Sequence, residues 1–389
     1  MPGPCRSLHS GAATLRVVHL QRIGGIGGSE RHVLTLLPAL AAAGLEVSFV
    51  GLDDPAGSAD PFYAELEAAR IPAVRLPSSL DVDPVLAGRL RRVLRELRPR
   101  LVHTHLVHAD LHGCLATLGT PITLVSTKHN DDRFRTGPFR FVERAIAHRA
   151  SSVITITDAL RRFTIERVGL PGARVETIHY GLDRLPPAWG PNPPLAIPET
   201  ARILLAIARL EPQKGLDVAI KAFARVRRTH PDAVLLVLGE GPERAALEAL
   251  ARAEGVAEAV LCPGRVGDVA EYLDRAELLV HPARWEGFGL ALLEAMLASR
   301  PVVASEVSSI PELVADGETG LLVSPDDPEA LATSIGELLE DPGRAASLGR
   351  AGYERARAEF SVERMARRTI ELYERVCAPR SESGSSEAR

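Results

Sequence analysis

The feature that most constrains this chain is an alternation that runs twice. Short apolar runs give way to turns and then to amphipathic stretches, and after a proline-rich break the same pattern restarts. In the first half the runs Leu15–Leu20, Leu45–Gly51, Leu101–His105, Ile122–Thr127, Val153–Thr157 and Val175–His179 read as strands. Helical patterns over Glu30–Ala43, Val85–Leu97 and Phe139–Ala150 stand between them. Residues 184–198 hold Pro186, Pro187, Pro191, Pro193, Pro194 and Pro198, the composition of a linker. Beyond it come strands Ile203–Ala208 and Val234–Leu238, helices Leu216–Arg228 and Glu243–Ala253, then strands near Val260–Cys262, Leu278–His281, Pro301–Ala304 and Gly320–Val323. Short strands alternating with amphipathic helices predict parallel sheets covered on both faces. The expectation is an α/β chain of two doubly wound, Rossmann-like domains facing across a cleft. Its predicted parts are a leader over 1–13, a first domain over 14–183, the linker 184–198, a second domain over 199–361, a closing helix over 362–377 and a disordered tail over 378–389.

Composition excludes several classes. A net charge of -4 on 389 residues carries no nucleic-acid signature. Cys5, Cys114, Cys262 and Cys377 are scattered, without metal-ligand spacing, so a reducing compartment is expected. The first fifteen residues have no apolar run of signal-peptide type, and no segment reaches the roughly 20 apolar residues of a membrane span. A cytoplasmic place follows, extended to the inner face of the plasma membrane by one stretch. Residues 133–144 begin by interleaving Arg133, Phe134, Arg135, Phe139, Arg140 and Phe141, which suits either an anionic membrane surface or a loop opening a helix with Phe141 in the core. Lysine occurs only at Lys128, Lys214 and Lys221, so a lysine inside a motif stands out.

In a doubly wound sheet, ligands bind beyond the carboxyl ends of the strands, and the motifs here fall there. Glu286 and Glu294 stand eight apart, separated by Gly287-Phe288-Gly289 and a helical run that opens at Leu290. Between the two carboxylates lie the free amides of a helix N-terminus, a seat for phosphate. A ligand with hydroxyls at both ends and phosphates in the middle, such as a sugar nucleotide, fits that arrangement. Arg209 and Lys214 follow strand Ile203–Ala208 and are expected to point into the crevice as a cationic pair, set against charge on a departing diphosphate.

The first-domain loop Gly24-Gly25-Ile26-Gly27-Gly28 offers a rival, since it follows a strand and the next strand ends in Asp53-Asp54, where a ribose-binding acid of an NAD site would stand. Glu30 occupies the third glycine position of that fingerprint, so the loop reads as close backbone approach rather than distinctly as NAD. His103, His105 and His108 crowd one strand end and His129 ends the next. Alternation puts His103 and His105 on one face without a cysteine or acidic third ligand, so no metal is expected, and His105 is the functional candidate. Asp81-Val82-Asp83 precedes Pro84 and reads as helix capping rather than as a metal-binding DxD.

Taken together, Gly27-Gly28-Ser29-Glu30, His103-Thr104-His105, Arg209 with Lys214-Gly215, Gly239-Glu240-Gly241-Pro242, Glu286-x7-Glu294 and Pro301-Val302-Val303-Ala304 resemble the retaining glycosyltransferases of family 4, also called group 1, which have the GT-B fold. The resemblance runs from about Leu15 to Val376. It implies a donor that is a UDP-, GDP- or ADP-sugar, a hydroxyl acceptor that is lipid-linked or a saccharide, and no metal cofactor. It gives Arg209 and Lys214 the diphosphate, Glu294 the ribose, and Glu286 with the amides of Gly287, Phe288 and Gly289 the donor sugar. His105 would lie near the anomeric centre, Gly27 and Gly28 would border phosphate and acceptor, and Val362–Val376 would cross back to the first domain. Ser308-Ser309 stands where relatives often carry glycines. Three rival readings remain: a sugar-nucleotide epimerase, an NAD-dependent oxidoreductase, and a non-catalytic nucleotide-sugar sensor.

Overall fold

The computed structural model describes residues 14–53, 59–78, 83–131, 133–185, 192–193, 195 and 197–378. The leader, most of the proline-rich break, Asp54, Asp81 and the tail from 379 lie outside them. Two parallel sheets form. The first takes β1 (Arg16–Ile23), β2 (Glu46–Asp53), β3 (Ala73–Pro77), β4 (Leu101–His105), β5 (Thr123–Lys128), β6 (Ser152–Thr155) and β7 (Val175–Thr177), in the order β3-β2-β1-β4-β5-β6-β7. The second takes β8 (Arg202–Ile207), β9 (Ala233–Leu238), β10 (Val260–Gly264), β11 (Ala276–His281), β12 (Val302–Ser305) and β13 (Leu321–Val323), in the order β10-β9-β8-β11-β12-β13.

The central strands are buried on both faces, which is why they read as continuous apolar runs, while the edge strands β3 and β10 are more exposed. Alternate residues feed opposite cores. Val17 and Leu101 join one cluster, while Val18 and Val102 join another beneath helices Pro84–Leu97 and Leu106–Thr117. Leu204 and Leu205 divide the second sheet in the same way. Both sheets reverse direction between a first strand and its out-of-sequence neighbour, at β1/β4 and at β8/β11. Those two switch points place the loops after β1, β4, β8 and β11 around one cleft.

Helix Val362–Cys377 belongs to the first core, where it buries Met365, Ala366, Leu372 and Tyr373. Ser361 caps its start by accepting from the Arg364 amide. The two crossings between domains lie side by side: the Leu182 amide donates to the Phe360 carbonyl at 2.8 Å, and the Val362 amide to Asp183. Gly181 permits this approach, because a Cβ there would stand 2.4 Å from the Ser361 carbonyl oxygen.

Two expectations about surface segments change. Asp83 does cap helix Pro84–Leu97, accepting from the amides of Val85 and Leu86. The 133–144 stretch, however, divides its charges. Arg135 and Glu143 turn inward and join Lys128 and Asp110 in a buried ion cluster. Phe141 and Val142 face outward on helix Arg140–Arg149, at 59% and 37% exposure, so Phe141 is not core.

Candidate active site

Beyond β8 the chain turns through Arg209 to Lys214 and closes on Gly215, whose φ of 61° is left-handed backbone. A side chain at Gly215 would place Cβ 2.0 Å from the Pro282 carbonyl oxygen, so only glycine lets this loop meet the one after β11. The two loops are then sewn together. The Arg284 guanidinium bridges Asp217 and Asp326 and donates to the Pro212 carbonyl, and Gln213 donates to the Trp285 carbonyl. Gly239 and Gly241 let the loop after β9 lie under the Arg209 turn, since a Cβ at Gly239 would come within 2.0 Å of the Ala208 oxygen.

This seam delivers Lys214 to Glu286 at 2.6 Å and His281 to the same carboxylate oxygen at 3.0 Å. The other oxygen accepts the Gly287 amide at 3.1 Å. Burial pushes the Glu286 carboxyl up, but the His281 hydrogen bond and the Lys214 charge outweigh it and hold the group at about 2. His281 is therefore a partner of the acid, a role that its position before Pro282 did not reveal. Arg209 is 66% exposed and donates to Glu211, two residues away, at 2.6 Å, so the two cations of the motif each hold a different carboxylate.

Gly289, at φ 100°, starts helix Leu290–Leu297, with Glu294 one turn inside. Ser309 is fully buried beneath the turn and donates to the carbonyls of Glu286 and Phe288, while Ser308 adopts φ 47°, a conformation glycine takes more readily. Glu294 is 3% exposed and takes Arg31 of the first domain at 2.6 Å. Burial raises its carboxyl above the usual range, with Arg31 pulling the other way.

The opposite wall comes from the first domain. A Cβ at Gly28 would lie 3.6 Å from Leu290, and a Cβ at Gly287 would lie 2.8 Å from the His129 carbonyl oxygen. Thr157 donates to the Gly287 carbonyl at 3.3 Å. Glu312 of the second domain accepts the amides of Asp158 and Ala159 at 2.7 and 2.6 Å. Gly27 and Gly28 thus border the cleft, and Glu30 fastens their loop by accepting from the Gly27 amide and from Gln21. Arg31, His129, Thr157 and Glu312 were not singled out for these contacts from the sequence. Each lies just past a strand or glycine loop, but pairing across a cleft leaves no spacing signal.

Of the two acids at the rival dinucleotide site, only Asp53 is among the described residues. Asp53 is bound to Tyr63 and, at 2.6 Å, to Arg75, so it is engaged within the first domain. His105 is wholly buried, with one ring nitrogen 2.9 Å from His19 and the other 3.0 Å from His129. It stands behind the cleft wall and does not project into the cleft. His19, on β1, supplies the third imidazole that the sequence reading lacked: ring nitrogens of His19, His103 and His105 lie within 4.8 Å of one another. All six nitrogens of these rings already sit within 3.2 Å of a side-chain partner, so a cation would have to displace existing hydrogen bonds. No acidic side chain belongs to this group.

Comparison with known proteins agrees with this geometry. Residues 192–355 match the family model "Glycosyl transferases group 1", and residues 26–184 match "Glycosyltransferase Family 4". A glycogen synthase of Mycobacterium tuberculosis is 30% identical over 385 residues, covering 90% of this chain and 91% of its own. A GDP-mannose-dependent alpha-(1-6)-phosphatidylinositol monomannoside mannosyltransferase of Mycolicibacterium smegmatis is 29% identical over 309 residues, covering 72% of this chain and 78% of its own. Among solved structures, Anabaena HepE in complex with UDP and glucose superposes with a TM-score of 0.79 at 21% identity, covering 93% of this chain and 100% of that one. With both of its sheets matched and its likeness to the mycobacterial enzyme running nearly end to end, the chain belongs to glycosyltransferase family 4 and is a glycosyltransferase of GT-B fold.

Proposed function

We propose that the cleft moves a hexosyl unit from a nucleoside diphosphate sugar to a hydroxyl acceptor with retention of configuration, in the assembly of a polysaccharide or glycolipid. The observation that carries this reading is the Lys214–Glu286–His281 cluster beside the amides of Gly287, Phe288 and Gly289. In it a carboxylate held ionised and a buried cation sit at the mouth of a helix N-terminus. On this reading Glu286 and the turn amides hold the sugar hydroxyls, and Leu290 at the helix start faces the phosphates. Glu294 takes the ribose. Lys214 and Arg209 neutralise the leaving diphosphate, Arg209 swinging from Glu211 to reach it. The acceptor oxygen attacks from the face the diphosphate leaves, and its proton passes to a phosphate oxygen. Charge thus builds where Lys214 is already fixed. The donor closes the cleft between Gly27-Gly28 and Leu290. His105 supports the wall from behind.

Two acceptor classes suit relatives of this chain, a saccharide and a lipid-linked sugar. No helix among the described residues is long and apolar enough to cross a membrane. Exposed Phe141 and Val142, flanked by Arg140 and Arg144, support a peripheral contact with an anionic bilayer. A thermal-shift panel of UDP-, GDP- and ADP-sugars, run with a chelator, tests the donor. A ligand at a hundred times its dissociation constant adds about 2.7 kcal/mol. The expected result is a metal-independent shift with one nucleotide family, lost in Lys214→Met and Glu294→Gln. A shift with NAD(H) alone would overturn the reading, and a new sugar isomer formed without acceptor would make the protein an epimerase.

A further inference from the structure

Behind the cleft wall runs an unbroken line of hydrogen-bonding side chains. Tyr180 meets His129 Nδ1. His129 Nε2 is 3.0 Å from His105 Nδ1, and His105 Nε2 is 2.9 Å from His19 Nδ1. His19 Nε2 is 3.2 Å from the Tyr373 hydroxyl, which is 2.5 Å from His103 Nδ1, and His103 Nε2 is 2.6 Å from Thr127 Oγ1. The line ties the cleft side of the first domain to the helix that returns from the second. All seven side chains are buried. At the cleft end, the Tyr180 ring packs on Phe288 of the donor turn at 4.9 Å, and the His129 carbonyl abuts Gly287.

Proton counting restricts this line sharply. A neutral imidazole carries one N–H and one lone pair, and a hydroxyl carries one proton. Each link holds one proton, and every proton of the line finds an acceptor within it only when neighbouring groups all donate in the same direction. In one sense, from Tyr180 to Thr127, all four histidines are protonated on Nε2. In the other sense all four are protonated on Nδ1. Between imidazoles a mixture leaves two lone pairs or two N–H groups facing each other; across Tyr373, whose hydroxyl can accept twice, it strands the hydroxyl proton or leaves one ring lone pair without a donor, and each case costs a buried hydrogen bond and its desolvation. Glu30 acts on Tyr180 and Lys128 on His129, and the His32 ring, packed against His105, His129 and Tyr180, acts on all four histidines. Burial disfavours the imidazolium of His19, His103, His105 and His129.

We propose that the four histidines switch tautomer as one unit, and that Tyr373, on the C-terminal helix, is a positioning residue that sets the tautomer of His129 beside the donor turn. Tyr373 lies three hydrogen bonds from His129, so its effect would be transmitted through His19 and His105. The consequence for the reaction rests on the donor-site reading above, whereas the coupling itself does not.

The test uses the full chain with 15N-labelled histidine, reading tautomers from imidazole nitrogen shifts. In the wild type all four histidines are expected in the same tautomer. In Tyr180→Phe, His129 Nδ1 faces hydrocarbon and keeps its lone pair there, so all four move to Nε2–H. In Tyr373→Phe, His19 Nε2 loses its partner instead. His19, His105 and His129 then become Nδ1–H while His103 becomes Nε2–H. The two variants therefore drive His129 to opposite tautomers. Mixed tautomers in the wild type, or the same His129 tautomer in both variants, would overturn the proposal. For the reaction, whichever of the two variants moves His129 away from its wild-type tautomer should lower kcat for nucleoside diphosphate release by at least roughly tenfold, as a misplaced tautomer does elsewhere, with the donor KM unchanged. An unchanged kcat in that variant, with coupled tautomers, would remove the positioning role. Absence of turnover in the wild type with every nucleotide sugar would count against the donor reading and leave the tautomer result standing.

Discussion

Glu286 gives the most direct test of how the site is built. Its carboxyl is held at about 2 in the folded protein against an ordinary value of 4.5. A depressed acid stabilises the fold above its unfolded value and loses that contribution as pH falls through the folded one. The difference of 2.5, at about 1.36 kcal/mol each, amounts to about 3 kcal/mol. By linkage about 2 kcal/mol of this is gone by pH 3. Glu286 is only 10% exposed, so solvent screening removes little of it. The perturbation is Glu286→Gln, which keeps the shape and removes the titration. Urea unfolding at a series of pH values from 7 to 3, followed by fluorescence of Trp285 in the same loop, gives the two stability curves. The wild type should lose about 2 kcal/mol more than the variant over that range. Parallel curves would show that Lys214 and His281 do not hold Glu286 ionised, and the electrostatic account of the site would fall.

Further outcomes follow from other contacts. Lys128→Met leaves Asp110 and Glu143 buried without their shared cation, at a cost of about 3–5 kcal/mol in chemical denaturation. Gly215→Ala forces a Cβ into the Pro282 carbonyl at a left-handed position, and should cost about 2 kcal/mol or more while weakening nucleoside diphosphate binding by calorimetry. Arg31→Ala removes the charge that opposes the burial of Glu294. A raised acid loses stability as pH climbs from its unfolded value through its folded one, so the variant's melting temperature should drop further than the wild type's between pH 5 and pH 8. Phe141→Ser should reduce co-sedimentation with anionic vesicles several-fold and leave nucleotide binding unchanged, if helix Arg140–Arg149 meets a bilayer.

The turn from Glu286 to Glu294 was legible because its residues are close in sequence. Glu286, the glycines and Glu294 lie within nine positions, and strand–turn–helix periodicity places them without tertiary information. The sheets were legible for the same reason, although β3 was not read as a strand, because its sequence Ala73-Val74-Arg75-Leu76-Pro77 is edge-like and half-exposed. What escaped were partners brought together by packing. Strand alternation correctly put His103 and His105 on one face, but it could not say that His19 joins them in register from β1, because pairing between β1 and β4 is decided by the sheet and not by either strand. Tyr373 was hidden further, 270 residues from His103, on a helix whose sequence shows only an apolar stripe. Arg209 shows the opposite failure. Its motif was plain, yet its partner is Glu211, a carboxylate two residues away that no spacing rule for the motif includes. A motif identifies which groups could do the chemistry, while the structure shows which partners they hold: Arg209 its neighbour Glu211, Lys214 the acid Glu286, and Glu294 the cation reaching to it from the other domain.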